Sequence, residues 1–324
     1  MRTLSIFLLL IVFTKSIYSQ NNPTKSAIFY KHITQALTFY LTVGYNADKI
    51  IDKNSTSSQQ LYLEKEKFKN KYSKAIINLI KVIGSEDSYN EVVSLIPLNK
   101  IDEYYKKFPI TETTTANYIL KIKEYLDGSN QEEGFRSLLI FQYLENPTNE
   151  FGDNFTNLFN TTNHAKSKNT KWTIRYPKSW KLSESDRPNS ICPIINESDS
   201  LLSFTMVSLR VDELIQTNQD YATLGFAKTI IPKDAKVVQF QKLNIENCPS
   251  GSIEYLLTQP SLNNKVNSRF IHFYFIFSKK LYSVYCGCVM DDKNHLETIW
   301  KKNLPIFRLI ANSVILLDKY QKTN

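Results

Sequence analysis

At 324 residues the chain is long enough for two domains rather than one, and its 42% hydrophobic content excludes global disorder. Its 40 Lys and Arg against 31 Asp and Glu give a net charge of +9, and its eight glycines leave few for a phosphate-cradling loop, of which there is no trace.

The first twenty residues, MRTLSIFLLLIVFTKSIYSQ, combine Arg2 with an apolar run from Leu4 to Phe13 broken only by Ser5. That run is too short to span a bilayer as a helix, and it fits the hydrophobic region of a signal peptide. Cleavage is expected between Ser19 and Gln20, making residues 1–19 a signal peptide and the remainder an exported, periplasmic or secreted chain. No later stretch is long and apolar enough to span a membrane. Most of the positive excess lies after Asn169, where 20 basic side chains face 14 acidic ones. Outside the cytoplasm such an excess suits an anionic surface, of lipid or glycan, rather than nucleic acid, or simply a solvated Lys-rich face.

Residues 20–145 read as a helical domain. A first segment, residues 26–45, is rich in aromatic and β-branched side chains. In residues 59–84, Leu61, Phe68, Tyr72, Ala75, Ile76, Leu79, Ile80 and Ile83 form one helical stripe that Gly84 ends. Shorter helices are predicted over 88–96, over 97–108 with Pro97 at the first position, and over 113–128 up to Gly128. Ser129 and Glu132 have the spacing of a capping box before a helix over 134–145. Residues 146–168 are dense in Asn and Thr and read as a linker, although Phe151, Phe155, Leu158 and Phe159 have the spacing of a short helical turn.

From residue 169 to 324 the period changes to two. Strands are predicted over 172–177, 201–211, 236–245, 251–259, 267–277 and 281–290. Helices are predicted over 218–230 and from Lys293 to Ala311, with Pro305 set to kink or break the second. The expected fold class is therefore α+β: an all-helical N-terminal domain, then an antiparallel β-sheet packed with helices.

One pattern is more specific. Trp172 on a strand, the Tyr176-Pro177 turn and Trp180 beyond it resemble the entry to a PsbP/Mog1-like domain. The strands and the helix that follow match in order, as does the closing FRLIANSVIL with its Ser. The resemblance covers about residues 169–317 and implies a non-catalytic protein that works by binding another. No partner-contact motif matches residue by residue. Read from the residues alone, Trp172, Tyr176 and Trp180 are core and corner aromatics.

The chemistry-bearing residues are few. Cys286 and Cys288, two apart on a strand, share a side and are poorly placed to bridge each other. Placing a two-residue turn at Lys279-Lys280 sets Phe273 opposite Cys286 and denies Cys286 the imidazole of His272. A three-residue loop from Ser278 to Lys280 would instead place His272 opposite Cys286. In the first register Ile271, Phe273, Phe275 and Phe277 share a buried face with Tyr282, Val284, Cys286 and Cys288. A Cys192–Cys248 disulfide is the least strained pairing of the four thiols. His32, His164, His272 and His295 are scattered, so neither metal nor other cofactor is expected. The leading function is an exported, non-catalytic binding or assembly module of the bacterial cell envelope. Its unidentified partner would meet the sheet face left open by the helices, at Tyr255, Arg269, Tyr274 and Tyr285. A thiol-dependent or hydrolytic enzyme using Cys286 or Cys288, and a binder of anionic lipid or glycan through the basic half, are the alternatives.

Overall fold

A computed structural model describes residues 27–53, 56–188, 190–198, 204–214, 220–260, 265–290 and 293–320. The expected signal peptide and its cleavage site lie outside the described residues. Two units divide between Leu144 and Glu145.

The first unit is helical: α1 (Ala27–Ile51), α2 (Ser58–Lys71), α3 (Ser73–Ile83), α4 (Glu86–Ser94), α5 (Asn99–Lys107), α6 (Glu112–Asp127) and α7 (Glu133–Gln142). An aromatic core joins them, with Phe39 edge-on to Tyr125 at 4.9 Å and Phe68 against Tyr72 at 5.0 Å. Gly84 and Gly128 take left-handed φ of 110° and 79° at the ends of α3 and α6, where glycine is favoured.

Two local expectations fail here, each for a tertiary reason. The stripe over 59–84 is two helices, broken at Tyr72. Gln142 from α7 fills the break: its Nε2 donates to Lys71 O at 3.0 Å and its Oε1 accepts from Ala75 N at 3.1 Å. The Tyr72 hydroxyl donates to Tyr125 O at 2.5 Å, tying the break to α6. The capping box is not formed either. Glu132 is itself the N-cap of α7, and its carboxylate is drawn to Tyr125 (3.1 Å) and Lys121 (2.9 Å).

The second unit is α+β. It contains α8 (Thr148–Gly152), β1 (Thr156–Asn160), β2 (Trp172–Pro177), β3 (Lys181–Leu182), β4 (Ser190–Asn196) and β5 (Phe204–Glu213). There follow α9 (Leu224–Thr229), β6 (Lys236–Ile245), β7 (Cys248–Pro260), β8 (Lys265–Phe277), β9 (Lys280–Met290), α10 (Lys293–Asn312), β10 (Ile315–Leu316) and α11 (Leu317–Tyr320). All pairings are antiparallel, in a sheet ordered β3-β4-β5-β9-β8-β7-β6 and a smaller one ordered β1-β2-β10.

The predicted linker is not a linker. Its aromatics carry it into the core: Phe155 is buried, Phe151 and Phe159 pack against the main cluster, and β1 pairs with β2 from Thr173 to Pro177. Glu150 of α8 is fully buried and clasps the turn after β2, accepting from Ser179 N at 2.7 Å and from Ser179 Oγ at 2.6 Å. Ser313, after α10, holds the opposite edge of that strand by accepting from Arg175 N at 2.8 Å.

Strand β4 was not predicted, because Pro193 argues against a central strand. It is tolerated because Pro193 lies opposite Ser183, just past the end of the two-residue β3. Its carbonyl accepts from Ser183 N there, and no donor is needed beside it. Helix α9 begins later than expected, at Leu224, behind the N-cap Thr223, whose side chain accepts from Phe226 N. Helix α10 runs through Pro305 without ending.

The β8–β9 hairpin turns at Ser278-Lys279, one residue earlier than expected, so Ile271 faces Cys286 and Phe273 faces Val284. The pairing slides by two residues, which keeps every side chain on its expected face. Ser278 and Lys279 hold φ of 49° and 57°, the left-handed pair of a type I′ turn, without the Asn or Gly that such turns favour. Lys279→Gly is therefore expected to stabilise the unit by about 1 kcal/mol, raising the unfolding midpoint by roughly 3 °C. A midpoint at or below that of the parent chain in a thermal melt would contradict this.

Candidate functional site

Alternation divides the large sheet into two faces. The first carries Cys286, Cys288, Ile271, Phe273 and Phe275, and forms one core with Trp172, Trp180, Trp300 and Phe307. Trp172, Tyr176 and Trp180 are all buried in it, with Trp172 edge-on to Tyr282 at 5.8 Å. The second face gathers polar and aromatic groups from strands far apart in the sequence. Register sets Arg210 of β5 opposite Ser283 of β9, and Tyr285 of β9 between Ser208 of β5 and His272 of β8. Tyr255 of β7 lies on the same face, opposite Phe270.

The centre of this face is a three-layer stack. The His272 ring lies on Tyr285 with centroids 3.7 Å apart and planes 23° from parallel. The Arg210 guanidinium sits over the same tyrosine ring, 5.2 Å from its centroid. Burial holds the His272 pKa down to about 3, helped by the Arg210 charge, so the imidazole is neutral. Burial pushes the Tyr285 hydroxyl up, opposed by Arg210 and Ser283 beside it. Tyr255 is raised in the same way, with Tyr285 and Arg210 both near enough to act on it. Groups in these states move no protons near neutrality, but each can still donate a hydrogen bond.

The four residues expected to form an open surface are not open. Tyr255 is 4% exposed and Tyr274 is fully buried, its hydroxyl donating to Tyr221 O at 2.9 Å beneath the segment that leads into α9. Tyr285 is half-buried in the stack. Arg269 belongs to the opposite face, because it is odd-numbered along β8 where Tyr274 is even. There it pairs with Glu254 at 2.5 Å and with Glu297, and lies over the Trp300 ring at 5.1 Å. Arg210, the cation that does accompany the tyrosines, was not singled out. The signal was available in LLSFTMVSLRV, where Ser208 and Arg210 fall on the polar side of the alternation.

All four cysteines are buried and none is in a disulfide. The expected Cys192–Cys248 bridge is not made: Cys192 is on β4 and Cys248 on β7, with β5, β9 and β8 between them. Three intervening strands separate the two by far more than a disulfide can span. Burial raises Cys286 well above the ordinary thiol range, with Cys288 adding to the shift, and lifts Cys192 to about 12. His272 faces Tyr285, not a thiol. His32 is bonded to Ser137 at 2.9 Å, His164 accepts from Lys166 N at 3.2 Å, and His295 is on the surface. Among the described residues no three His, Cys, Asp or Glu side chains come together as metal ligands. No helix among them is long and apolar enough to cross a membrane.

Two cavities accompany these features. One of about 310 Å³ lies in the helical unit beside Phe39, Tyr118 and Tyr125. The other, about 430 Å³, lies in the second unit between the loop around His164 and the segment from Leu182 to Cys192.

No family model matches the chain, and no curated protein matches it. Among solved structures, the chain is similar to the solution structure of cyanobacterial PsbP (CyanoP) from Synechocystis sp. PCC 6803. The two are 13% identical, with a TM-score of 0.34, over 49% of this chain and 92% of the other. Similarity of that degree assigns no function.

Proposed function

We propose that this chain is an exported, non-catalytic binding or assembly module of the cell envelope, with a PsbP/Mog1-like C-terminal unit. The observation that carries this reading is the state of its reactive groups. Cys286, Cys288 and His272 are fully enclosed, and burial drives Cys286 and His272 away from neutral titration in the direction that silences each. A nucleophile needs an activating base within hydrogen-bond reach, and register places His272 on the opposite face from both thiols of β9. The Tyr-Pro turn flanked by Trp172 and Trp180 supports the PsbP/Mog1-like assignment.

Thiol alkylation of the native chain at pH 8 tests the non-catalytic part. All four cysteines are expected to resist iodoacetamide until the protein is unfolded, then to react together. Fast native labelling at Cys286 or Cys288 would restore the thiol-enzyme alternative. Cross-linking in envelope extracts tests the other part and is expected to recover one defined partner. Recovery of none, together with turnover of a substrate, would reverse the reading.

A further inference from the structure

The second face of the sheet holds several polar atoms without hydrogen-bond partners in one place: both ring nitrogens of His272, Nε of Arg210 and Oγ of Ser283. His272 and Ser283 are fully buried. A buried polar atom left unsatisfied is costly, so several gathered on three adjacent strands call for an explanation. Arg210 sharpens the question. Among the described residues it has no carboxylate partner. Asp212, the next side chain along the same face of β5, pairs with Lys168 at 3.6 Å, and Glu254 pairs with Arg269 on the far face. The Tyr285 ring holds the guanidinium by stacking, with Nε of the fork buried and unpartnered. Ser283 lies directly opposite Arg210 on β9, the Tyr285 hydroxyl is beside it, and Tyr255 is near enough on the same face for the Arg210 charge to act on it; all three hydroxyls can donate. Next to them Ser190 Oγ and Ser208 Oγ are bonded to each other at 2.9 Å.

An uncompensated cation ringed by donors is satisfied by a ligand made of acceptors. We propose that Arg210, Ser283, Tyr285 and Tyr255 form a binding site for a compact oxyanion, a carboxylate or phosphate group. Resting on the binding-module reading above, this names the chemistry by which the module holds its partner: the partner presents the oxyanion and the sheet supplies the fork.

The test is titration of the full chain with sodium phosphate and with sodium acetate at constant ionic strength, followed by calorimetry. Saturable one-to-one binding of at least one of them is expected. Arg210→Gln and Tyr285→Phe should each weaken it about tenfold, the loss of one charge-assisted hydrogen bond, with unchanged circular dichroism. Arg210→Lys, which keeps the charge and loses the fork, should also weaken it, and serves if the glutamine variant does not fold. Binding of neither anion, or variants that bind like the parent chain, would overturn the proposal. Vesicles of phosphatidylglycerol, with phosphatidylcholine as control, identify the source. Capture that free phosphate competes away and Arg210→Gln abolishes assigns the oxyanion to a lipid headgroup. Binding of free anion without vesicle capture assigns it to a protein or soluble ligand. Failure of anion binding with inert thiols and a captured partner sinks this inference alone, whereas reactive thiols sink the reading beneath it.

Discussion

Gly287→Ala is expected to destabilise the C-terminal unit by about 3 kcal/mol, lowering its unfolding midpoint by roughly 6 to 12 °C. A methyl at this position would lie 2.2 Å from Cδ1 and 2.4 Å from Cε1 of Phe270, directly across from it on β8. The ring covers the glycine, an aromatic shielding a glycine on the neighbouring strand. Phe270 cannot swing away freely, since Tyr255 stacks on it with centroids 5.4 Å apart. Tyr274 covers Gly251 in the same manner, its hydroxyl 2.6 Å from where a Cβ would sit. A double-mutant cycle identifies the cause: Phe270→Leu in the Gly287→Ala background should recover much of the loss, giving a coupling above about 1 kcal/mol. If Gly287→Ala melts within a degree of the parent chain, the ring does not occupy that space.

The second large effect concerns Glu150, and it is a dependence on pH. Desolvation raises its folded pKa to about 8, well above the ordinary 4.5, even though Ser179 and the Lys178 backbone favour the charged form. The folded state therefore holds a proton on Glu150, between about pH 4.5 and 8, that the unfolded chain gives up. The stability linked to this proton is complete below the unfolded pKa. It declines as pH rises through the window, by at most about 1.4 kcal/mol per pH unit. Glu150→Gln keeps the shape and accepts the Ser179 N–H bond without titrating. The variant is expected to lose this slope, and to be more stable than the parent chain at pH 8 while similar at pH 5. Urea denaturation across pH 5 to 8 measures the difference between the two chains, which removes the titration of every other group. Parallel stability curves would show that Glu150 is charged in the folded state.

The Glu150 effect sits where the sequence is least legible. Glu150 lies in a segment whose Asn and Thr content reads as a tether, because composition averages over the aromatic residues that anchor it. Phe155 and Phe159 are spaced for a strand or a turn alike, and only the presence of β2 alongside selects the strand. The hairpin shows the converse. Strict alternation in NSRFIHFYFIF and LYSVYCGCVM decides which side chains face the core, so the buried face is right even though the turn is one residue off. Placing the turn needs a local signal, and Ser278-Lys279 gives none, as neither residue is a usual occupant of the left-handed region.

The candidate site divides in the same way. Alternation sets Tyr255, Tyr274 and Tyr285 on one face but cannot say that α9 and its approach bury Tyr274, nor which cation joins them. Arg269 is only five residues from Tyr274, yet parity sends it to the other side of the sheet. Arg210 comes from a strand more than sixty positions earlier.

By itself the sequence determined what is local and periodic: helices before about residue 145, alternating strands after it, the glycine stops at Gly84 and Gly128, and the two faces of the sheet. These follow from side-chain spacing and backbone sterics within a few residues. Only the tertiary structure decided the strand order, the turn in β8–β9, the break at Tyr72, the unbridged cysteines, the burial of Glu150 and the gathering of Arg210, His272, Ser283 and Tyr285. Each of those depends on which distant segment lies alongside, and that is fixed by the packing of the whole unit.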